Sequence, residues 1–136
     1  MKTIKKTQNS YSIKYTQINQ LVKYGKFAIK ATSFGRLTEN QLNSFERFLM
    51  VFLKKNSHNN KNVKIWNLVK FNMALTKLSS ESRMGKGKGS IYTKAVFLRP
   101  GTILFEFTGL TDQEIYKMFT FIRKKLPFKS ILIKKI

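Results

Sequence analysis

Two stretches of the sequence combine the signals that begin a helix, and an apolar stripe follows each of them. At positions 38–41 and 111–114 a threonine stands three residues before a Gln or Glu, which is the spacing of a capping box. A leucine precedes each threonine, at the position from which a hydrophobic staple begins. The sequence therefore predicts two amphipathic helices, over about 38–55 and 111–126. Their apolar stripes are Leu42, Phe45, Leu49, Phe52 and Leu53 in the first, and Ile115, Met118, Phe119, Ile122 and Leu126 in the second.

Five short segments rich in β-branched and aromatic residues predict strands, at 26–31, 63–69, 91–98, 102–108 and 130–135. Between the third and the fourth, Pro100 and Gly101 suit the two central positions of a type II turn, so we expect these strands to form a hairpin. Residues 70–82 show no clear period and are interpreted as an extended crossing segment. The predicted fold class is α+β, an antiparallel or mixed sheet with two amphipathic helices packed on it. We expect a single domain over 24–136, preceded by a basic arm at 1–23.

The string Arg83-Met84-Gly85-Lys86-Gly87-Lys88-Gly89 alternates glycine with lysine behind an arginine. Because glycine has no Cβ, such a backbone can lie very close to a partner, and the lysines carry positive charge into that contact. A phosphate-lined partner fits both properties. The spacing is not that of a Walker loop, and the strand that follows is unlike the helix of a dinucleotide-binding turn. The alternative is a solvated Gly/Lys loop without a partner, since charge runs are usually just solvated.

The charge balance narrows the class of partner. Lys and Arg total 27 against 6 Asp and Glu, a formal net charge of +21, which disfavours a compact state unless a polyanion neutralises it. Nucleic acid is the first candidate, and an anionic membrane surface is the second. No apolar run approaches the roughly 18 residues of a spanning helix. Because 42% of the residues are hydrophobic, the chain can still build a core.

Residue types that carry catalysis or bind metals are sparse. The chain has no cysteine, and its single histidine, His58, lies in a polar stretch that is predicted to be a loop. Helix starts or helix faces explain the acidic residues except Glu106, which lies in a strand, and Glu81, which lies in a loop, both without an obvious partner. No acid–base pair, Ser/His/Asp grouping or metal-ligand spacing appears. We therefore expect neither an enzyme nor a cofactor.

The arm at 1–23 and Trp66 each allow more than one interpretation. The arm at 1–23 is basic and has no acidic residue, which favours an extended segment that orders on RNA. A transit peptide and a terminus without a role are the alternatives for the arm. Trp66 is able to stack on a base, but a lone strand tryptophan belongs more often to the core or its edge.

Taken in order, several of these segments resemble large-subunit ribosomal protein sixteen of the bacterial type, the universal uL-sixteen family. The resemblance runs from about Tyr24 to the C-terminus, and its most specific part is the string at 83–89. The other matching segments are 27–31, 35–38, 64–66, Pro100 with Gly101, Gly109, and 125–127 with Lys129.

The resemblance implies a hammerhead-like α+β fold and a structural place in the large ribosomal subunit. It implies binding to large-subunit rRNA near the aminoacyl-tRNA site, with the string at 83–89 reaching toward the peptidyl-transferase region and tRNA. Neighbouring ribosomal proteins are further partners, and no membrane is required. The predicted RNA-binding residues are Arg36, Arg83, Gly85, Lys86, Gly87, Lys88, Gly89, Lys94 and Arg99. A free-standing basic binder of nucleic acid or membrane surfaces is the alternative function.

Three departures from the family pattern limit what the resemblance implies. Residues 10–20 are less basic than the family's arm, the loop at 56–62 is longer than usual, and the prolines expected between Trp66 and the string are absent. The A+T-type composition, rich in Lys, Asn, Ile and Phe, favours an organelle-encoded copy, as do the short chain and the lack of a presequence. We expect a mitochondrial copy more than a plastid one, with an A+T-rich bacterium as the alternative.

Overall fold

The computed structural model describes residues 20–56, 63–71, 73–81, 83–85 and 87–136. Most of the predicted arm, the polar loop with His58, and Lys86 lie outside these residues. The described residues form strands and helices in the order β1 (Phe27–Ala31), β2 (Gly35–Thr38), α1 (Glu39–Asn56), β3 (Lys64–Asn67), β4 (Met73–Lys77), β5 (Ser90–Leu98), β6 (Ile103–Thr108), α2 (Asp112–Lys125) and β7 (Ser130–Lys134).

The strands lie in two sheets, and every pairing described within them is antiparallel. One sheet has four strands in the order β3-β6-β1-β7, and the other has three in the order β2-β5-β4. The predicted α+β class, with antiparallel strands and two amphipathic helices, is confirmed. The second sheet depends on β2 and β4, two strands that the sequence pattern did not reveal.

Both helices begin at the predicted capping boxes. In α1 the Thr38 amide donates to Gln41 Oε1 at 3.0 Å, and the Gln41 amide donates to Thr38 Oγ1 at 3.4 Å. In α2 Thr111 and Glu114 exchange the equivalent pair of bonds, at 3.1 and 3.4 Å. Each box satisfies two backbone N–H groups that have no partner inside the helix.

The core joins residues of both helices to residues of both sheets. The ring of Phe45 on α1 stacks on Phe105 of β6 with 4.6 Å between centroids, and Phe105 in turn stacks with Phe107. From α2, the side chains of Ile115, Met118 and Ile122 are fully buried. The apolar stripes predicted from the sequence are therefore core and not a binding surface.

The turn at 99–102 forms as predicted, but the hairpin expected there is wrong. The Thr102 amide donates to the Arg99 carbonyl at 3.3 Å, and Gly101 has a φ of 92°, as a type II turn requires. However, β5 pairs with β2 and β4, whereas β6 pairs with β1 and β3. The Gly101 amide donates to the Ala31 carbonyl at 2.6 Å and the Ala31 amide donates to the Thr102 carbonyl at 2.9 Å, which fastens the turn to the end of β1. The turn therefore carries the chain from one sheet into the other.

The interpretation of residues 70–82 as a crossing segment is also wrong, because β4 lies within it. This strand pairs with β5 from Met73 opposite Ala95 to Lys77 opposite Ser90, with an irregularity after Leu75. Ala74 and Leu75 are adjacent and both buried, so β4 lacks the alternation that identifies a half-buried strand. The short β2 was missed because it runs directly into the cap of α1.

Candidate nucleic-acid interface

The Gly/Lys string lies at the end of a hairpin formed by β4 and β5. We call the described residues between these strands, 78–81, 83–85 and 87–89, the hairpin tip. Arg83, Met84, Gly85, Gly87 and Lys88 are all exposed, and Met84 reaches 94% exposure. The string is therefore presented by the hairpin of β4 and β5. The predicted hairpin joined the strands at 91–98 and 102–108 instead.

The glycines of the hairpin tip serve two different purposes. Gly85 and Gly87 have φ angles of 98° and 94°, and a Cβ built on either would have no atom within 4 Å. Their backbone conformation favours glycine, and their surroundings are open. A Cβ on Gly89 would instead overlap the backbone of Lys77, with the Lys77 carbonyl carbon only 2.6 Å away. Gly89 is thus required by the fold, whereas Gly85 and Gly87 leave space for a partner.

The other predicted RNA-binding residues do not form one cluster with the hairpin tip. Arg36 on β2 stands opposite Phe97 of β5, so these two side chains share a face of the three-stranded sheet. Lys94 lies three residues from Phe97 and therefore points to the other face. Arg99 follows the far end of β5, roughly 30 Å from the tip at the usual rise of a strand. The predicted set thus spans the length of this sheet and both of its faces.

The sequence did not reveal the role of Glu106. This carboxylate is 1% exposed and accepts three successive backbone amides, from Lys23 at 3.1 Å, Tyr24 at 2.6 Å and Gly25 at 2.8 Å. Residues 20–25, which we call the N-terminal strap, are thereby fastened to β6. The one sequence signal of this arrangement is a glutamate within an apolar strand, because a buried carboxylate needs hydrogen-bond donors or a cation beside it.

Further bonds hold the two ends of the N-terminal strap. The Ile103 amide donates to Gln20 Oε1 at 2.8 Å, and the Lys26 amide donates to the Phe107 carbonyl at 2.9 Å. The ring of Tyr24 stacks with Trp66 at 6.2 Å between centroids, with the ring planes 23° apart. Trp66 is half-buried on β3, as expected for the edge of a core, and it neighbours an exposed tyrosine.

Two adjoining clefts share part of their lining, including Lys70. The larger, about 570 Å³, lies between the N-terminal strap and residues 67–70, and Lys23, Tyr24 and Lys70 line it. The smaller, about 250 Å³, is lined by apolar residues together with Lys70 and Arg99. Both clefts therefore carry exposed or half-exposed cations at their borders.

The carboxylates offer little to offset this positive charge. Glu106 and Glu114 are engaged with backbone amides, Glu46 accepts from the Asn67 side chain at 2.8 Å, and Asp112 pairs with Lys134 at 3.3 Å. With a net charge of +21, most of the cations have no carboxylate to neutralise them. Such a surface attracts a polyanion.

The described residues provide no group of three or more His, Cys, Asp or Glu side chains that could hold a metal ion. Within the same residues, no helix is long and apolar enough to cross a membrane. The described surface offers extended positive charge, exposed backbone at glycines, and the stacked pair of Tyr24 and Trp66 beside the larger cleft.

Comparison with known proteins agrees with this surface. The family described as "Ribosomal protein L16p/L10e" matches residues 1–133. The large ribosomal subunit protein uL16m of Chondrus crispus is 50% identical over 131 residues, which cover 96% of this chain and 95% of that protein. The large ribosomal subunit protein uL16 of Blochmanniella pennsylvanica is 36% identical over 118 residues, which cover 87% and 84% of the two chains. The chain therefore belongs to the L16p/L10e family, whose members are structural ribosomal proteins and not enzymes.

Proposed function

We propose that this protein is a structural constituent of the large ribosomal subunit, where it binds large-subunit rRNA near the aminoacyl-tRNA site and the peptidyl-transferase region. Family membership supports the ribosomal role. The observation that carries the RNA contact is the hairpin tip, where Gly85 and Gly87 adopt positive φ in open space beside Arg83 and Lys88. Phosphates can approach such a backbone closely, and its cations position them.

The same proposal gives roles to the remaining predicted residues. Arg36, Lys94 and Arg99 contact RNA at separate points along the three-stranded sheet, in keeping with their positions on different faces. Lys86 completes the charge of the string. The basic arm at 1–23 binds rRNA ahead of one domain at 24–136, and tRNA and neighbouring ribosomal proteins are further partners.

We place the protein in the ribosome of the mitochondrial matrix. The 50% identity to uL16m of Chondrus crispus, a mitochondrial protein, supports this location and exceeds the 36% identity to the bacterial relative. Cell fractionation distinguishes the alternatives. A plastid protein would be recovered with plastids, and a bacterial one would be recovered with cytoplasmic ribosomes.

Sedimentation tests the ribosomal role. A tagged copy should migrate with large subunits in a density gradient and remain with them at moderate salt. Replacing Arg83 and Lys88 together with alanine should loosen this association at moderate salt. Replacing Arg47 and Lys117 removes the same charge from exposed positions on α1 and α2 and should have less effect.

A protein that is released at moderate salt and spreads over many RNAs would contradict the proposal. Recovery with anionic membranes instead of subunits would favour the surface-binding alternative.

A further inference from the structure

The larger cleft has the dimensions of a ligand site, and of its lining residues only those at 20–23 belong to a segment assigned to rRNA above. Its volume of about 570 Å³ falls in the range of about 300–1,000 Å³ that small-molecule sites occupy. The N-terminal strap forms one wall, and residues 67–70 with Thr102 and Ile103 form the others. A single nucleotide fits such a space, whereas a duplex does not.

The wall formed by the strap contains an aromatic surface. Tyr24 remains 60% exposed although its ring stacks with Trp66, so much of the ring is open to solvent. An aromatic ring presented in this way is what an unstacked base uses as a platform. Trp66 stacks with this ring and is itself held in β3, which pairs with β6.

The platform is fixed before any ligand arrives. The Tyr24 amide donates to Glu106 at 2.6 Å, and its neighbour Gly25 lies so close to β6 that a Cβ would come within 2.6 Å of the Phe107 carbonyl oxygen. Because the backbone of Tyr24 is held on both sides, stacking a base on it costs little conformational entropy.

The charges around the cleft suit a phosphate at its rim and not at its floor. Lys23 and Lys70 both line the cleft and are exposed. Glu106 also lines it but is 1% exposed, and three amide donors face its carboxylate. A nucleotide would therefore place its phosphate toward the lysines and its base against the ring.

We propose that this cleft binds one unstacked nucleotide of a single-stranded RNA segment, with its base stacked on Tyr24 and its phosphate held by Lys23 and Lys70. The proposal rests on the RNA-binding function and adds a stacking site to it. It predicts that a base, and not only the phosphate backbone, contributes to affinity.

The test compares two probes on the whole protein, a short oligoadenylate and the same oligonucleotide with abasic sites. The oligoadenylate should bind at least about fivefold more tightly, the lower end of what one stacked base contributes. It should also change the fluorescence of Trp66, the only tryptophan in the chain, whereas the abasic probe should not. Raising the salt should weaken both probes but preserve the ratio.

Variants assign the effect to the ring. Tyr24→Leu should remove the preference for the oligoadenylate and Tyr24→Phe should keep it. The matched control is Tyr116→Leu on α2, where the tyrosine is 62% exposed and far from the strap in sequence, and it should leave the preference unchanged.

Equal affinity of the wild-type protein for both probes would overturn the stacking site while leaving phosphate binding intact. An equal loss of preference in the Tyr24 and Tyr116 variants would overturn it as well. If neither probe binds, the RNA-binding function itself fails, and the stacking site fails with it.

Discussion

The backbone amide of Gly25 donates to Oε2 of Glu106 at 2.8 Å, which ties the N-terminal strap to the middle strands of the four-stranded sheet. Glycine is required at this position because any Cβ would collide with the backbone of Phe107. The buried carboxylate of Glu106 and the absence of a Cβ at Gly25 together allow the strap to lie against β6. They fix the course of residues 20–25 along the sheet.

Replacing Glu106 with glutamine should destabilise the protein by about 1–3 kcal/mol, because an NH₂ group would face backbone amides that need an acceptor. Glu81→Gln removes the same charge from an exposed turn and should leave stability unchanged. Chemical denaturation of both variants measures the difference. Equal stability of the two variants would show that the strap is not held by this carboxylate.

The capping boxes should each contribute measurably to stability. Thr38→Ala and Thr111→Ala should each lower the free energy of unfolding by about 0.5–2 kcal/mol, the usual cost of losing an N-cap side chain. Serine at either position keeps the hydroxyl and should recover most of the loss. Thermal melting decides the matter, and variants that melt like the parent would contradict the role of the caps.

The glycines of the hairpin tip should separate stability from function. Gly89→Ala should cost about 1–3 kcal/mol of stability, because its Cβ overlaps the backbone of Lys77. Gly87→Val places a branched residue at a φ of 94° but meets no atom within 4 Å, so its strain can be relieved by the exposed tip and it should cost less stability than Gly89→Ala. The same valine should impair peptide-bond formation by large subunits that carry it, because a branched Cβ keeps RNA from the backbone.

Two results would contradict this division of roles. A larger drop in melting temperature for Gly87→Val than for Gly89→Ala would mean that the tip packs into the fold. Normal melting together with normal peptide-bond formation would mean that the tip is only solvated.

Binding to RNA by the isolated protein should be strongly salt-dependent. With a net charge of +21, neutralising roughly six to ten phosphates of a single strand gives a log–log slope of about −4 to −7. Titrations of single-stranded RNA at several salt concentrations measure this slope. A slope shallower than about −2 would be incompatible with phosphate-dominated binding.

The features that the sequence predicted are those whose signals are local. A capping box occupies four consecutive residues, and the turn at Pro100 and Gly101 depends on the backbone preferences of those two residues. Which strands pair is not a local property. The pairing of β6 with β1 instead of β5 is accompanied by hydrogen bonds between the turn and Ala31, which lies about seventy residues earlier in the chain.

The candidate site divides in the same way. The glycines and cations of the string were evident from the sequence. The different roles of Gly87 and Gly89 were not, because they depend on the approach of Lys77 from the partner strand. The partners of Glu106 are more than eighty positions away in the sequence, so no local pattern reveals them. The cleft beside Tyr24 exists only once those bonds are made.

The central claim is that the hairpin tip contacts large-subunit rRNA, and site-specific crosslinking tests it most directly. A photoreactive residue at position 84, where Met84 is 94% exposed, should crosslink to large-subunit rRNA in assembled subunits. The same group at position 116 on α2 should crosslink to that rRNA much less. Crosslinking at position 84 that yields no rRNA, or no more than position 116 yields, would contradict the account.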